Sequence, residues 1–162
     1  MTLQDICDLH AKAVLSDAPA SWEETLHNLV KLPQSDLDKE IAQAIRMTCY
    51  LQLERWQELE TFSRCLISRF GFDHREAQVG YCISQIYQKK YEELLGYIDS
   101  LISRWPNEPR FIFFRSRARF ESGDAEGADD DARRYSALDP HCAWVLYFLE
   151  LENRMHARRS QP

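Results

Sequence analysis

Glycine is scarce in this chain, five in 162 residues, against roughly 7% in an average protein. No Asn-Gly or Asp-Gly pair occurs, so the strongest short hairpin signal is missing. No stretch alternates in the manner of a half-buried strand. Any apolar run near the roughly 20 residues that span a bilayer is also missing. Met1-Thr2-Leu3-Gln4-Asp5 carries neither a basic n-region nor an apolar h-region, and no signal peptide is expected. Positive charge is not in excess: 20 Lys+Arg face 26 Asp+Glu, for a formal net charge of −6. That balance argues against nucleic-acid binding, which depends on neutralising phosphates. Cys7, Cys49, Cys65, Cys82 and Cys142 are odd in number and scattered, with no Cys-x-x-Cys spacing. They read as reduced core thiols of a cytoplasmic protein.

Catalytic and metal-binding patterns are missing too. His10, His27, His74, His141 and His156 show no His-x-x-x-His or His-Glu-x-x-His spacing, so no metal site is expected. There is no glycine-rich phosphate loop and no Gly-x-Ser-x-Gly elbow. His141 beside Cys142 is no nucleophile pair, because adjacent helical residues point apart, and His74 and His141 stand at helix starts. The chain reads as a non-enzyme without a cofactor.

What is present is helix signal from end to end. Leu3, Ile6, Leu9, Ala13 and Val14 follow a helical stripe. Ser21-Trp22-Glu23-Glu24 reads as a capping box, opening a helix with Trp22, Leu26, Leu29 and Val30 on one side, which Pro33 stops. Ser35 starts a third helix, with Asp36 and Asp38 favourable in its first turn. Asp73 with Glu76, Asn107 before Glu108-Pro109, and Asp139-Pro140 read as further starts.

These helices repeat. Leu66-Ile67-Ser68-Arg69-Phe70-Gly71 returns 35 residues later as Leu101-Ile102-Ser103-Arg104-Trp105-Pro106, with Trp56-Gln57-Glu58-Leu59 lying on Tyr91-Glu92-Glu93-Leu94. A step of 34 then carries Tyr91 to Ala125, Leu94 to Ala128 and Pro106 to Pro140. Two amphipathic helices per period indicate an all-α helix-turn-helix solenoid. The clearest unit runs from Phe111 to Phe120, then through Gly123-Asp124 and Ala128 to Leu138-Asp139-Pro140. Ser116, Ala118 and Ala128 let helix axes approach, Gly123 supplies a left-handed cap, and Pro140 opens the next helix. In the two earlier units Glu54-Arg55 and Lys89-Lys90 replace Gly-Asp, and Leu59 and Leu94 replace the alanine, which predicts altered helix crossing there.

The pattern resembles the tetratricopeptide repeat (TPR) family over roughly residues 37–140. The resemblance implies a right-handed solenoid: an N-terminal helical extension at 1–34, repeats at about 35–71, 72–106 and 107–140, and a C-terminal helix and tail at 141–162. It also implies that the first helix of each pair lines a concave groove. That wall would comprise Ile41, Ala44, Ile45, Thr48 and Gln52, then Val79, Gly80, Ile83 and Tyr87, then Phe113, Phe114, Arg117 and Glu121. Such a wall is apolar and suits a partner segment with hydrophobic anchors. Size, acidity and Glu108-Pro109-Arg110-Phe111 look similar to TPR chaperones of type III secretion translocators, which would make the chain an adaptor or chaperone.

The stretch Cys142–Leu149 is apolar all round, whereas a solenoid's end helix needs a polar outer face. Either the N-terminal helices fold over it, or Trp144, Tyr147 and Phe148 form a homodimer or partner interface. A homodimeric scaffold is the alternative function. Arg154, Arg158 and Arg159 suit that helix's C-terminus, and Ser160-Gln161-Pro162 reads as a frayed tail. The acidic run Glu121–Asp131 lacks calcium-loop spacing and reads as a solvated face, with Asp129–Arg133 and Asp130–Arg134 as i, i+4 pairs.

Overall fold

The chain folds into α-helices, and no strand occurs among the described residues. The computed structural model describes residues 1–160; the expected fraying of Gln161 and Pro162, and the expected role of the Arg159 side chain, lie outside the described residues. The helices are α1 (Leu3–Ser16), α2 (Pro19–Leu29), α3 (Gln34–Leu37), α4 (Glu40–Gln52), α5 (Trp56–Phe70), α6 (Arg75–Tyr87), α7 (Tyr91–Arg104), α8 (Pro109–Glu121), α9 (Ala125–Leu138) and α10 (Ala143–Arg159). They fall into two compact units, Met1–Ser84 and Gln85–Pro162, and the division lies within α6.

The helix boundaries carry the period seen in the sequence. α4, α6 and α8 begin at Glu40, Arg75 and Pro109, spacings of 35 and 34 residues, and α5, α7 and α9 keep the same spacings from Trp56. The turn joining each pair holds one residue in the left-handed region: Glu54 at φ 55°, Lys89 at φ 59° and Gly123 at φ 88°. The next amide then bonds back across the helix end in each case, Arg55 to the Tyr50 carbonyl, Lys90 to Gln85 and Asp124 to Arg119, all at 2.9 Å. That six-residue closure satisfies carbonyls the helix leaves open. The backbone of the turn is therefore retained where glycine is not. α1 and α2 make a further hairpin, 37 residues ahead of α4 and α5, with Asp17 in the left-handed position.

Glu54 and Lys89 bear a strain that Gly123 does not, since a Cβ in the left-handed region costs roughly 1–2 kcal/mol. Lys89→Gly is expected to stabilise the fold by roughly 0.5–1 kcal/mol, less than the full strain because glycine loosens the unfolded chain. A raised urea midpoint at constant slope is the readout. An unchanged or lower midpoint would show that the turn is relaxed as it stands.

In the first unit, Ile6, Ala13, Trp22, Leu26, Leu29, Ile45, Cys49, Leu59 and Leu66 are buried. Gly80 is needed for close approach: a Cβ there would lie 2.5 Å from Met47 Cε and 2.6 Å from Ser63 Oγ. Arg55 meets both oxygens of Glu23 at 2.6 and 2.8 Å, and Arg69 meets both oxygens of Asp38 at 2.5 and 2.6 Å.

Several helix starts differ from the sequence reading. The capping box belongs to Thr2 and Asp5, whose reciprocal bonds are 3.2 and 2.6 Å. The Thr2 amide first, and then the Thr2 side chain, hold the Asp5 carboxyl below its ordinary range. Ser21 is no cap, because Pro19 at the first helical position starts α2 two residues earlier. At the start of α6, His74 Nδ1 accepts the Ala77 amide at 3.2 Å. Glu108 rather than Asn107 caps α8. Asp139 stands three residues ahead of the α10 cap, Cys142, yet its carboxylate takes the Tyr135 hydroxyl at 2.6 Å. That bond, followed by the Ala143 and Trp144 amides, keeps the Asp139 carboxyl low. All five cysteines are free, but only Cys49 and Cys82 are core; Cys65 is exposed. Burial pushes the Cys49 thiol up to about 12.

The second unit is built around Leu94, Ile98, Leu101, Phe111, Ile112, Phe114 and Ala118. Each of the leucine, isoleucine and phenylalanine side chains among them contributes roughly 1.5–3 kcal/mol. The small residues act as expected: Ser116 Oγ reaches the Ala128 carbonyl at 2.8 Å, so α8 and α9 lie close. The acidic run is not uniformly solvated. Asp129 pairs with Arg133 as anticipated, but Arg134 donates to the Pro106 carbonyl at 2.7 Å instead of to Asp130. Asp131 is buried, because Arg115 and Arg119 of α8 need a counter-charge where α9 crosses them.

Candidate partner-binding surface

The groove residues expected from the first helices divide sharply by burial. Ile45, Gln52, Val79 and Ile83 lie in the core, which corrects their assignment to a partner-facing wall. Gly80 and Phe114 are likewise buried. The physical reason is plainest in α6, where every residue from Ala77 to Ile86 is buried. That stretch carries no charged side chain, a signal that marks a helix enclosed on all sides rather than one with a binding face. On α4 the accessible stripe is Ile41, Ala44 and Thr48, and the Thr48 hydroxyl is turned onto the Ala44 carbonyl at 2.9 Å. Glu121 is exposed at the end of α8.

Tyr87, Phe113 and Arg117 come together in the second unit, and their neighbour is α10. Phe148 stacks on Tyr87 with ring centres 6.1 Å apart and planes at 9°. It meets Phe113 at 5.2 Å and Phe114 edge-on at 5.7 Å. Such offset and edge contacts each add about 0.5–1.5 kcal/mol beyond burial. Arg117 forms an ion pair with Glu152 of α10 and lies 5.6 Å from the Tyr87 ring centre. Burial, then the Glu152 charge, pushes the Tyr87 hydroxyl well above its ordinary range. Tyr87 therefore stays neutral and its ring offers Arg117 a face.

The proposed interface residues of α10 divide in the same way. Phe148 is 2% exposed and belongs to the core of this unit, which corrects its place on an outward interface. Trp144 and Tyr147 are half-buried, Trp144 5.5 Å beneath the Arg110 guanidinium and packed edge-on against Tyr147 at 5.4 Å. The outward apolar residues are Leu146, 60% exposed, and Leu149, 52% exposed. Sequence periodicity missed both, since a helix apolar all round does not declare which side will be covered.

A cavity of about 450 Å³ opens between α8, α9 and α10. Phe113, Phe120, Ala125, Ala128, Ala132, Val145 and Leu149 supply its apolar lining, and Arg117 and Glu152 its charge. Phe120, 68% exposed, stands at this cavity without cover. Among the described residues, no group of three His, Cys, Asp or Glu is placed to hold a metal, and no helix is long and apolar enough to cross a membrane. Comparison with protein-family models, with curated proteins and with solved structures found no match.

Proposed function

We propose that this chain is a non-enzymatic protein-interaction module of tetratricopeptide kind, which holds an apolar helical segment of a partner protein against α8. One observation carries the reading: the α8 wall of Phe113 and Arg117, with Tyr87 beside it, grips a helix by an aromatic wedge and one ion pair. Helix-in-groove recognition uses those two elements, apolar anchors for affinity and a charge for register. Secretion chaperones would be one form of such a module. Glu108-Pro109-Arg110-Phe111 is a weak basis for that narrower role, because Arg110 is engaged by Glu108 at 2.7 and 2.9 Å and by Trp144.

The test is capture of a partner by tagged full-length chain, identified by mass spectrometry, then repeated with Phe113→Asp and Arg117→Glu. Both variants are expected to lose capture while keeping helical circular dichroism. Undiminished capture by both would remove the α8 wall from the binding surface. A homodimeric scaffold is the second reading, favoured by the outward Leu146 and Leu149. It requires a dimer in light scattering that Leu146→Glu with Leu149→Glu converts to monomer; a wild-type monomer excludes it.

A further inference from the structure

We infer that α10 is an intramolecular occupant of the partner site, and that the partner segment carries its chemistry: a helix with an aromatic anchor, then apolar, acidic and apolar residues three, four and seven positions on. This rests on the interaction-module reading and names what that module recognises. On α10 those positions are Phe148, Leu151, Glu152 and Met155; the three apolar ones are buried and the acid meets Arg117. They form one helical face, the i, i+3, i+4, i+7 pattern of helices that dock in grooves.

The register separates this helix from a stacked repeat. α10 begins 34 residues after α8, the position of a further first helix. In α8 the residues buried by stacking are Phe111, Ile112, Phe114 and Ala118. Their counterparts 34 positions on are Val145, Leu146, Phe148 and Glu152, and of these only Phe148 is core. Leu151 and Met155, which are core, are instead the counterparts of Arg117 and Glu121, the positions assigned to the groove wall. So α10 keeps the repeat's spacing but turns a different face inward.

Its fit is incomplete. The cavity beside it leaves Phe120 of α8 uncovered, surface that a segment with bulkier outer residues would fill. A tethered occupant competes at the high effective concentration its short connection gives. It lowers the partner's apparent affinity by the fraction of time it is docked. Partner binding then requires α10 to leave, and the wall is screened from weaker apolar segments.

The experiment uses full-length chain and a fluorescent peptide of residues 143–159. Glu152→Arg and, separately, Phe148→Ala weaken the tethered helix; the peptide in trans is expected to bind each variant about tenfold tighter than wild type. In the Phe148→Ala chain, adding Arg117→Glu removes that gain, and a peptide carrying Glu152→Arg restores it. Wild-type hydrogen exchange gives a readout independent of any variant: α10 amides are expected to exchange about tenfold faster than those of α8, as a separately opening segment does. No binding of peptide to either weakened chain, or equal protection of α10 and α8, would overturn the inference. Neither result bears on partner capture, which tests the module reading alone. If capture fails while the peptide binds, the module reading falls and α10 remains a self-docking helix.

Discussion

Asp131→Ala is expected to destabilise the protein by about 3 kcal/mol, because removing one partner of a buried ion pair strands the others. Asp131 is 3% exposed and takes two bonds from Arg115, at 2.8 and 2.6 Å, and one from Arg119 at 2.9 Å. Arg115 also reaches Asp99 of α7 at 2.5 Å, so one carboxylate network joins α7, α8 and α9. Its carboxylate partners, Asp131 first, hold the Arg115 guanidinium more firmly protonated than usual. Arg115 retains Asp99 and some solvent in the variant, which sets the effect at the low end of the about 3–5 kcal/mol range for broken buried pairs. Chemical denaturation reads the loss. Asp131→Leu with Arg115→Met is expected to recover most of it, since apolar replacement of a whole pair is close to neutral. A loss below about 0.5 kcal/mol in Asp131→Ala, the range of an exposed pair, would show that water already screens the site.

The second large effect is expected at Ile83. Its side chain is 2% exposed within the uncharged, enclosed stretch of α6. Ile83→Asp places a carboxylate at a site closed to water, a cost of roughly 4 kcal/mol or more. Loss of the cooperative thermal transition and of helical circular dichroism is the expected result, with Ile83→Val costing only about 0.5–1.5 kcal/mol. A folded Ile83→Asp variant that merely loses a partner would return this residue to a binding wall. Phe113→Asp is the cleaner probe of binding, because Phe113 is only half-buried.

These two residues mark where sequence reasoning reached and where it stopped. The period was legible: helix starts and turns fall at the 35- and 34-residue spacings seen in Leu66–Gly71 and Leu101–Pro106. Helix starts were harder to place, because Ser21 and Asn107 each have a competitor one or two residues away. Pro19 starts α2 ahead of Ser21, and the Glu108 carboxylate takes the Arg110 amide at the start of α8. The hairpin of α1 and α2 went unread, since it shares backbone spacing with the repeats but not their residues.

Burial was the main failure. The resemblance assigned whole faces of α4, α6 and α8 to one groove, yet helical periodicity marks only the apolar side, not what covers it. Ile45 and Val79 satisfied that pattern as core residues. The acidic run misled in the opposite direction: Asp131 looks like its neighbours Asp129 and Asp130, and only the arginines of a different helix make it buried.

The sequence by itself determined the all-helical class, the period and the hairpin turns, because these depend on propensity, glycine-like turns and i, i+4 spacing within a few residues. Even the glycine shortage is resolved locally, with Glu54 and Lys89 taking up the left-handed turn. Tertiary structure alone decided that α6 is enclosed, that Asp131 is a buried counter-ion, and that α10 lies on α8 through Phe148 and Glu152. Those outcomes depend on residues 12 to 61 positions apart in the chain meeting in space, and no local pattern records which of several apolar faces will find the other.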